Sequence, residues 1–279
     1  MSQKPDPHIS AEVKINLTIL VLGAMVMILN ETALSVALPA IMADFDIPAT
    51  SAQWLLTGFL LTMGVVIPTT GFLMDKFTTR QIFLASAGVF LAGTVFAALA
   101  PAFGILLVGR VFQAAGTALM IPTLMTVAMT LVPPQRRGSV MGIISVVISV
   151  APALGPTVGG LVLSMFTWHV IFWTMVPLLG LIGVAGYLRL VNVGDKRDTP
   201  LDFPSVILSV LAFGGLVYAV SSLENILEGE GLIDILVLAI GLVALALFTL
   251  RQVRLAKDNR ALLDMRPFKV PNFTVAVLG

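Results

Sequence analysis

INLTILVLGAMVMILNETALSVALPA, Ile15 to Ala40, is a run of 26 residues in which Glu31 is the one ionisable side chain. A helix needs ~20 apolar residues to cross the ~30 Å of bilayer hydrocarbon, and this run has them. The apolar part of a cleavable signal peptide is only ~7–15 residues long, so a leader does not account for it. The run reads as a retained membrane span with a carboxylate placed inside it.

Similar runs recur outward from this one, at 53–74, 81–100, 104–130, 138–164, 169–190, 204–222 and 232–250, and a ninth begins near Asn272. Internal prolines such as Pro68, Pro122, Pro152, Pro156 and Pro177 do not argue against helix. In a membrane, neighbouring helices satisfy the carbonyls that a proline frees. The expected fold class is an all-α membrane protein with eight complete spans. Composition agrees, because hydrophobic residues make up 58% of the chain and charged residues 11%, with a mean hydropathy of +1.02. Soluble domains carry ~25% charged residues, too many for this chain to match. Cysteine is absent, which excludes disulfides and thiolate metal sites. His8 and His169 are far apart and lack partners at ligand spacing, so no metal centre or other cofactor is expected.

Fifteen of the sixteen Lys and Arg residues fall in the N-terminal tail or on alternate loops of one side. The opposite loops carry Asp44, Asp46, Glu224, Glu228 and Glu230 instead. The positive-inside rule therefore predicts a cytoplasmic N-terminus in an inner, cytoplasmic membrane. Trp54, Trp168 and Trp173 fall near the outer helix ends, where an aromatic belt is expected.

The basic residue left over is Arg110, which lies within the fourth run as Glu31 lies within the first. Intramembrane charge costs ~2.5–3.5 kcal/mol on insertion scales and marks a pathway or proton site by default. Counted from Pro39 and from Gly104, Glu31 lies ~12 Å and Arg110 ~9 Å below the outer surface. Two readings stay open: an ion pair that joins helices, or a proton- and substrate-binding pair facing a water-filled cavity. Arg110, Gln113 and Thr117 follow i, i+3, i+7 and make one polar stripe. Asn30, Thr32 and Ser35 surround Glu31. Met25, Met27, Met63, Met120, Met125 and Met129 suit either an adaptable drug site or plain core.

Four motifs carry a resemblance. They are LNETALSVALP (Leu29–Pro39), GFLMDKFTTR (Gly71–Arg80), RVFQAAG (Arg110–Gly116) and APALGPTVGG (Ala151–Gly160). In that order on these helices they resemble the major facilitator superfamily, and within it the fourteen-span drug:proton antiporters of the lincosamide-resistance type. Thr78 stands where the loop signature has Gly, and Ala114 replaces a Gly of the helix-four motif.

The resemblance implies an N-terminal six-helix bundle over 15–190 and two linker helices over 204–250. A cytoplasmic tail over 1–14, a cytoplasmic loop over 191–203, and a loop with the start of helix nine over 251–279 complete the plan. Nearly all of a second bundle is missing from it. An inverted three-helix repeat is also expected, with helix four as the counterpart of helix one.

The implied activity is proton-coupled drug efflux by alternating access, without enzymatic chemistry and with the proton gradient as energy source. Glu31 and Arg110 would couple the proton, and Asn30, Gln113 and Thr117 would line the substrate cavity. Gly71, Asp75, Lys76 and Arg80 would gate the cytoplasmic side, and Gly155, Pro156, Gly159 and Gly160 would form the antiporter motif. Expected partners are small-molecule drugs, the lipid bilayer, and a C-terminal half or a second copy; no nucleic acid is expected. The rival readings are an importer or facilitator of the same fold and a non-transporting truncated scaffold.

Overall fold

The computed structural model describes residues 9–193, 202–223 and 231–256, and every regular element among them is helical. In chain order these are α1 (Ala11–Phe45), α2 (Ala49–Ala52), α3 (Trp54–Lys76), α4 (Thr79–Ala98) and α5 (Phe103–Leu131). Then follow α6 (Pro134–Met165), α7 (His169–Arg189), α8 (Phe203–Ser221) and α9 (Leu232–Leu255). Among the described residues seven helices are long and apolar enough to cross a membrane, α2 and α3 together making one of them, and α8 is apolar but shorter over Pro204–Val220. Residues 224–230 of the acidic loop expected near 223–231, and the start of the expected ninth span, lie outside the described residues. So do Lys4 and His8 of the tail and Lys196 and Arg197 of the cytoplasmic loop.

Local chemistry sets the helix starts. Ser10 caps α1 by accepting from the Val13 N–H at 3.3 Å. Thr78 caps α4 in a reciprocal box with Gln81, which satisfies two of the amide donors that a helix start leaves unpaired. The departure from Gly at Thr78 thus supplies a cap. Helix α1 runs through Pro39 and stops only at Asp46, whose φ of 51° turns the chain left-handed.

That length corrects two expectations. Asp44 belongs to α1 rather than to a loop. Counted from the helix end at Phe45, Glu31 lies ~21 Å deep, against ~10 Å for Arg110 from Phe103, so matched depths do not follow from counting. Pro39 lacks an amide donor but does not end α1, so it was a poor marker of the surface.

Two compact units form. The first comprises Met1–Phe59 and Phe77–Lys196, and the second Leu60–Lys76 and Arg197–Gly279. Most of α3 thus groups with the linker pair rather than with the 15–190 bundle. Gly64 supports this, since a β-carbon there would lie 3.6 Å from Val217 and 3.8 Å from Phe213 of α8. The α8–α9 crossing in the second unit is tight because Gly215 meets Gly241, with 2.9 Å from a β-carbon on the first to the Cα of the second.

The first unit holds two apolar cores. One joins α1, α4, α5, α6 and α7 around Leu20, Phe83, Phe90, Met120 and Leu124. Met27 and Met120 are buried in it, while Met129 is half exposed, so the methionines do not share one surface. The other core joins α1, α3, α4, α5 and α7 around Leu34, Ile41, Leu106 and Phe172. Trp168 closes this core rather than serving as a belt residue, being only 3% exposed. Its indole N–H donates to Asp44 Oδ2 at 3.0 Å, so its polar end has a protein partner. Trp54 and Trp173, 42% and 44% exposed, keep the belt assignment open.

Candidate functional site: a buried arginine beside a half-exposed carboxylate

Arg110 is completely buried on α5. Gly93 of α4 and Gly109 and Gly116 of α5 let the two backbones touch. A β-carbon on Gly109 would lie 2.7 Å from the Gly93 carbonyl, and one on Gly116 would lie 2.7 Å from the Ser86 carbonyl. Small residues at such spacing permit the close approach that packing between membrane helices depends on. Ser86 Oγ donates across the seam to the Gly116 carbonyl at 2.7 Å.

This contact turns the polar stripe against α4. Gln113 donates through Nε2 to Thr94 Oγ1 at 2.9 Å, and Thr94 donates to the Phe90 carbonyl at 2.8 Å. Thr117 donates back to the Gln113 carbonyl at 3.0 Å. Gln113 and Thr117 are therefore buried rather than facing an open cavity, because the glycines share their side of α5. Asn30 is also fully buried, and neither polar atom of its carboxamide has a hydrogen-bond partner among the described residues.

Arg110 is held from three directions. Its Nη1 donates to Gln113 Oε1 at 2.9 Å and its Nε to the Leu55 carbonyl at 3.3 Å. Its Cζ lies 4.2 Å from the centre of the Phe59 ring, a favourable place for a cation. Nη2 has no partner. Glu31 is half-buried on α1. It makes no direct salt bridge with Arg110, and the carboxylate accepts no hydrogen bond among the described residues. One charge is thus locked in place and the other is left free to exchange partners. Thr94, Leu55 and Phe59 carry this site, yet nothing in their spacing marked them beforehand.

The antiporter-motif residues divide. A β-carbon on Gly155 would come within 2.7 Å of Thr32 Cβ and 2.9 Å of the Ala33 nitrogen, and one on Gly159 within 2.8 Å of the Ala33 carbonyl. These two glycines seat α6 on the segment of α1 that follows Glu31. Gly160 meets nothing within 4 Å. Pro156 lies between them inside α6.

The loop-signature residues fall at the end of α3 and the start of α4. Gly71 is half-buried in α3, and Asp75 and Lys76 are exposed at its end. Lys76 Nζ sits 5.8 Å from the Phe72 ring centre. Arg80 stacks on Tyr187 with its Cζ 4.5 Å from the ring centre, and its backbone N–H donates to Asn192 Oδ1 at 3.2 Å. The segment after α7 is fastened again where Val193 N–H donates to Thr79 Oγ1 at 3.1 Å. Val191 N–H donates to the buried Asn16 Oδ1 at 2.8 Å.

Apolar helices of spanning length around a buried, hydrogen-bonded cation define a multi-pass membrane protein. Residues 20–253 match the family model described as Major Facilitator Superfamily, and the chain belongs to that family.

It is 42% identical over 261 residues to the "Uncharacterized MFS-type transporter YcnB" of Bacillus subtilis, covering 93% of this chain and 54% of that protein. It is 40% identical over 250 residues to the "Lincomycin resistance protein LmrB" of Listeria monocytogenes, covering 89% and 52%. The chain spans about half the length of these curated relatives. A crystal structure of the peptide transporter POT in complex with sulfate shares the fold at 18% identity and a TM-score of 0.60. That match covers 85% of this chain and 51% of the other.

Proposed function

We propose that this chain contributes to proton-coupled export of hydrophobic or amphipathic small molecules across the cytoplasmic membrane, by alternating access. The observation that carries the reading is the unequal pair: Arg110 locked by Gln113, Leu55 and Phe59, and Glu31 half-buried without a hydrogen-bond partner. A carboxylate of this kind takes up a proton when its surroundings dry and releases it when water returns. Arg110 senses that change of charge, and Gln113 with Thr94 fixes the guanidinium. Asn30, with two unpaired buried polar atoms, offers a donor and an acceptor to a cargo that opens the site. Gly155 and Gly159 transmit movement of α6 directly to α1.

Relatives named for lincomycin resistance and putative multidrug resistance support export of drugs. Basic residues on alternate loops support a cytoplasmic N-terminus. In the proposed cycle Asp75, Lys76 and Arg80 act at the cytoplasmic gate. The proton gradient supplies the energy, and the opposing wall comes from a C-terminal half or a second copy.

The test uses cells making the protein and loaded with a fluorescent lipophilic cation. Export predicts exclusion of the dye that a protonophore abolishes. Accumulation of the dye identifies an importer, and no difference from empty cells refutes export.

A further inference from the structure

The helices α8 and α9 leave a groove on their exposed side. Two adjoining hollows of about 320 Å³ and 450 Å³ share Leu208 and Leu247 as walls. The first is lined by apolar side chains alone, among them Ile240 and Val243. The second ends at Arg251 and Arg254. On α9 the positions 240, 243, 247, 250 and 254 recur at three- and four-residue steps, so they form one stripe. From 240 to 254 that stripe is ~21 Å long, enough to cross one leaflet of a ~30 Å hydrocarbon core.

The two arginines are not equivalent. Arg251 gives Nε and Nη2 to Asp202, each at 2.7 Å. Ser205 and Gln252 complete that cluster, with Gln252 Nε2 donating to Ser205 Oγ at 2.8 Å. Arg254 is exposed and has no partner among the described residues. The groove therefore combines a leaflet-deep apolar wall with one cation at its rim that no described residue pairs.

We infer that this groove is a binding site for one anionic phospholipid, its phosphate on Arg254 and an acyl chain along Leu247, Val243 and Ile240. The wall is hydrocarbon-like over its length, and the charge stands only where a headgroup would lie. A cationic drug is repelled there, and a neutral lipid leaves Arg254 unanswered. Free phosphate shares the headgroup chemistry but cannot use the apolar wall.

The test is native mass spectrometry of the purified chain in micelles doped equally with phosphatidylglycerol and phosphatidylcholine. One phosphatidylglycerol should be retained in preference to phosphatidylcholine. Arg254→Gln should lower that retention about fivefold, the worth of one basic residue near an anionic lipid surface. Leu247→Trp should lower it with Arg254 intact, because the indole fills the shared wall. Arg189→Gln, at the end of α7, should leave it unchanged.

Equal retention of the two lipids would overturn the site, as would wild-type retention by either groove variant or equal loss in Arg189→Gln. Displacement of the lipid by glycerol phosphate at similar concentration would overturn the lipid as occupant.

Discussion

Replacing Gly155 with Ala tests whether α6 is seated on α1 beside Glu31. The added carbon would lie 2.7 Å from Thr32 Cβ, well inside the 3.4 Å at which ordinary contact begins, and 2.9 Å from the Ala33 backbone nitrogen. Backbone cannot swing aside as the end of a side chain can, so the helices must part. Overpacking of this sort costs ~1–3 kcal/mol, partly offset by the ~0.5–1 kcal/mol that Ala gains over Gly within a helix. A net loss of ~1–2 kcal/mol lowers the unfolding temperature by ~3–6 °C. Gly160→Ala is the control, since nothing lies within 4 Å of its added carbon. It should raise the unfolding temperature slightly. Intrinsic fluorescence of the three tryptophans follows both variants in detergent. Equal shifts of the two, or stabilisation by Gly155→Ala, would refute the seating of α6 on Thr32 and Ala33.

Other expectations follow from single contacts. Arg110→Lys loses the bond to the Leu55 carbonyl and the guanidinium placed over the Phe59 ring; it should destabilise the purified chain by ~2–3 kcal/mol in thermal unfolding. Asn16→Ala leaves the Val191 amide without its buried acceptor, and a loss of ~1–3 kcal/mol should appear in the same assay. The Arg251 guanidinium holds the Asp202 carboxyl at about 2, below its ordinary 3.8. A lowered value means that this contribution is present above pH 3.8 and is lost as pH falls towards 2. Asp202→Asn should therefore cost no more than ~1 kcal/mol at pH 7. Its difference from wild type should vanish near pH 2, as a pH series of unfolding temperatures would show.

The spans were legible because bilayer thickness translates directly into run length, and the eight expected runs coincide with helices to within a few residues at most ends. The largest miss, the outer end of α1, arose because Pro39 was read as a boundary. A proline without neighbours in view cannot be told from a helix end, whereas Asp46 with its left-handed turn marks the real one.

Charges were legible too, since Glu31 and Arg110 stand out in apolar sequence. Their surroundings were not. The i, i+3, i+7 stripe correctly put Arg110, Gln113 and Thr117 on one side of α5, but periodicity does not say what that side meets. Gly93, Gly109 and Gly116 decide it by admitting α4, and Thr94 then completes the Gln113 bond. Trp168 shows the same limit. Its place at a helix end was visible in the sequence, while its partner Asp44, 124 residues earlier, was not.

The most direct measurement is ΔpH-driven efflux from everted membrane vesicles containing the whole-length protein, comparing wild type with Glu31→Gln. Gln is nearly isosteric and uncharged, so it removes an insertion penalty, and the amount of protein in the membrane should not fall. The proposed coupling requires that dye movement in response to the proton gradient disappear in the variant at equal protein levels. Efflux by Glu31→Gln at the wild-type rate and with the wild-type dependence on ΔpH would contradict it.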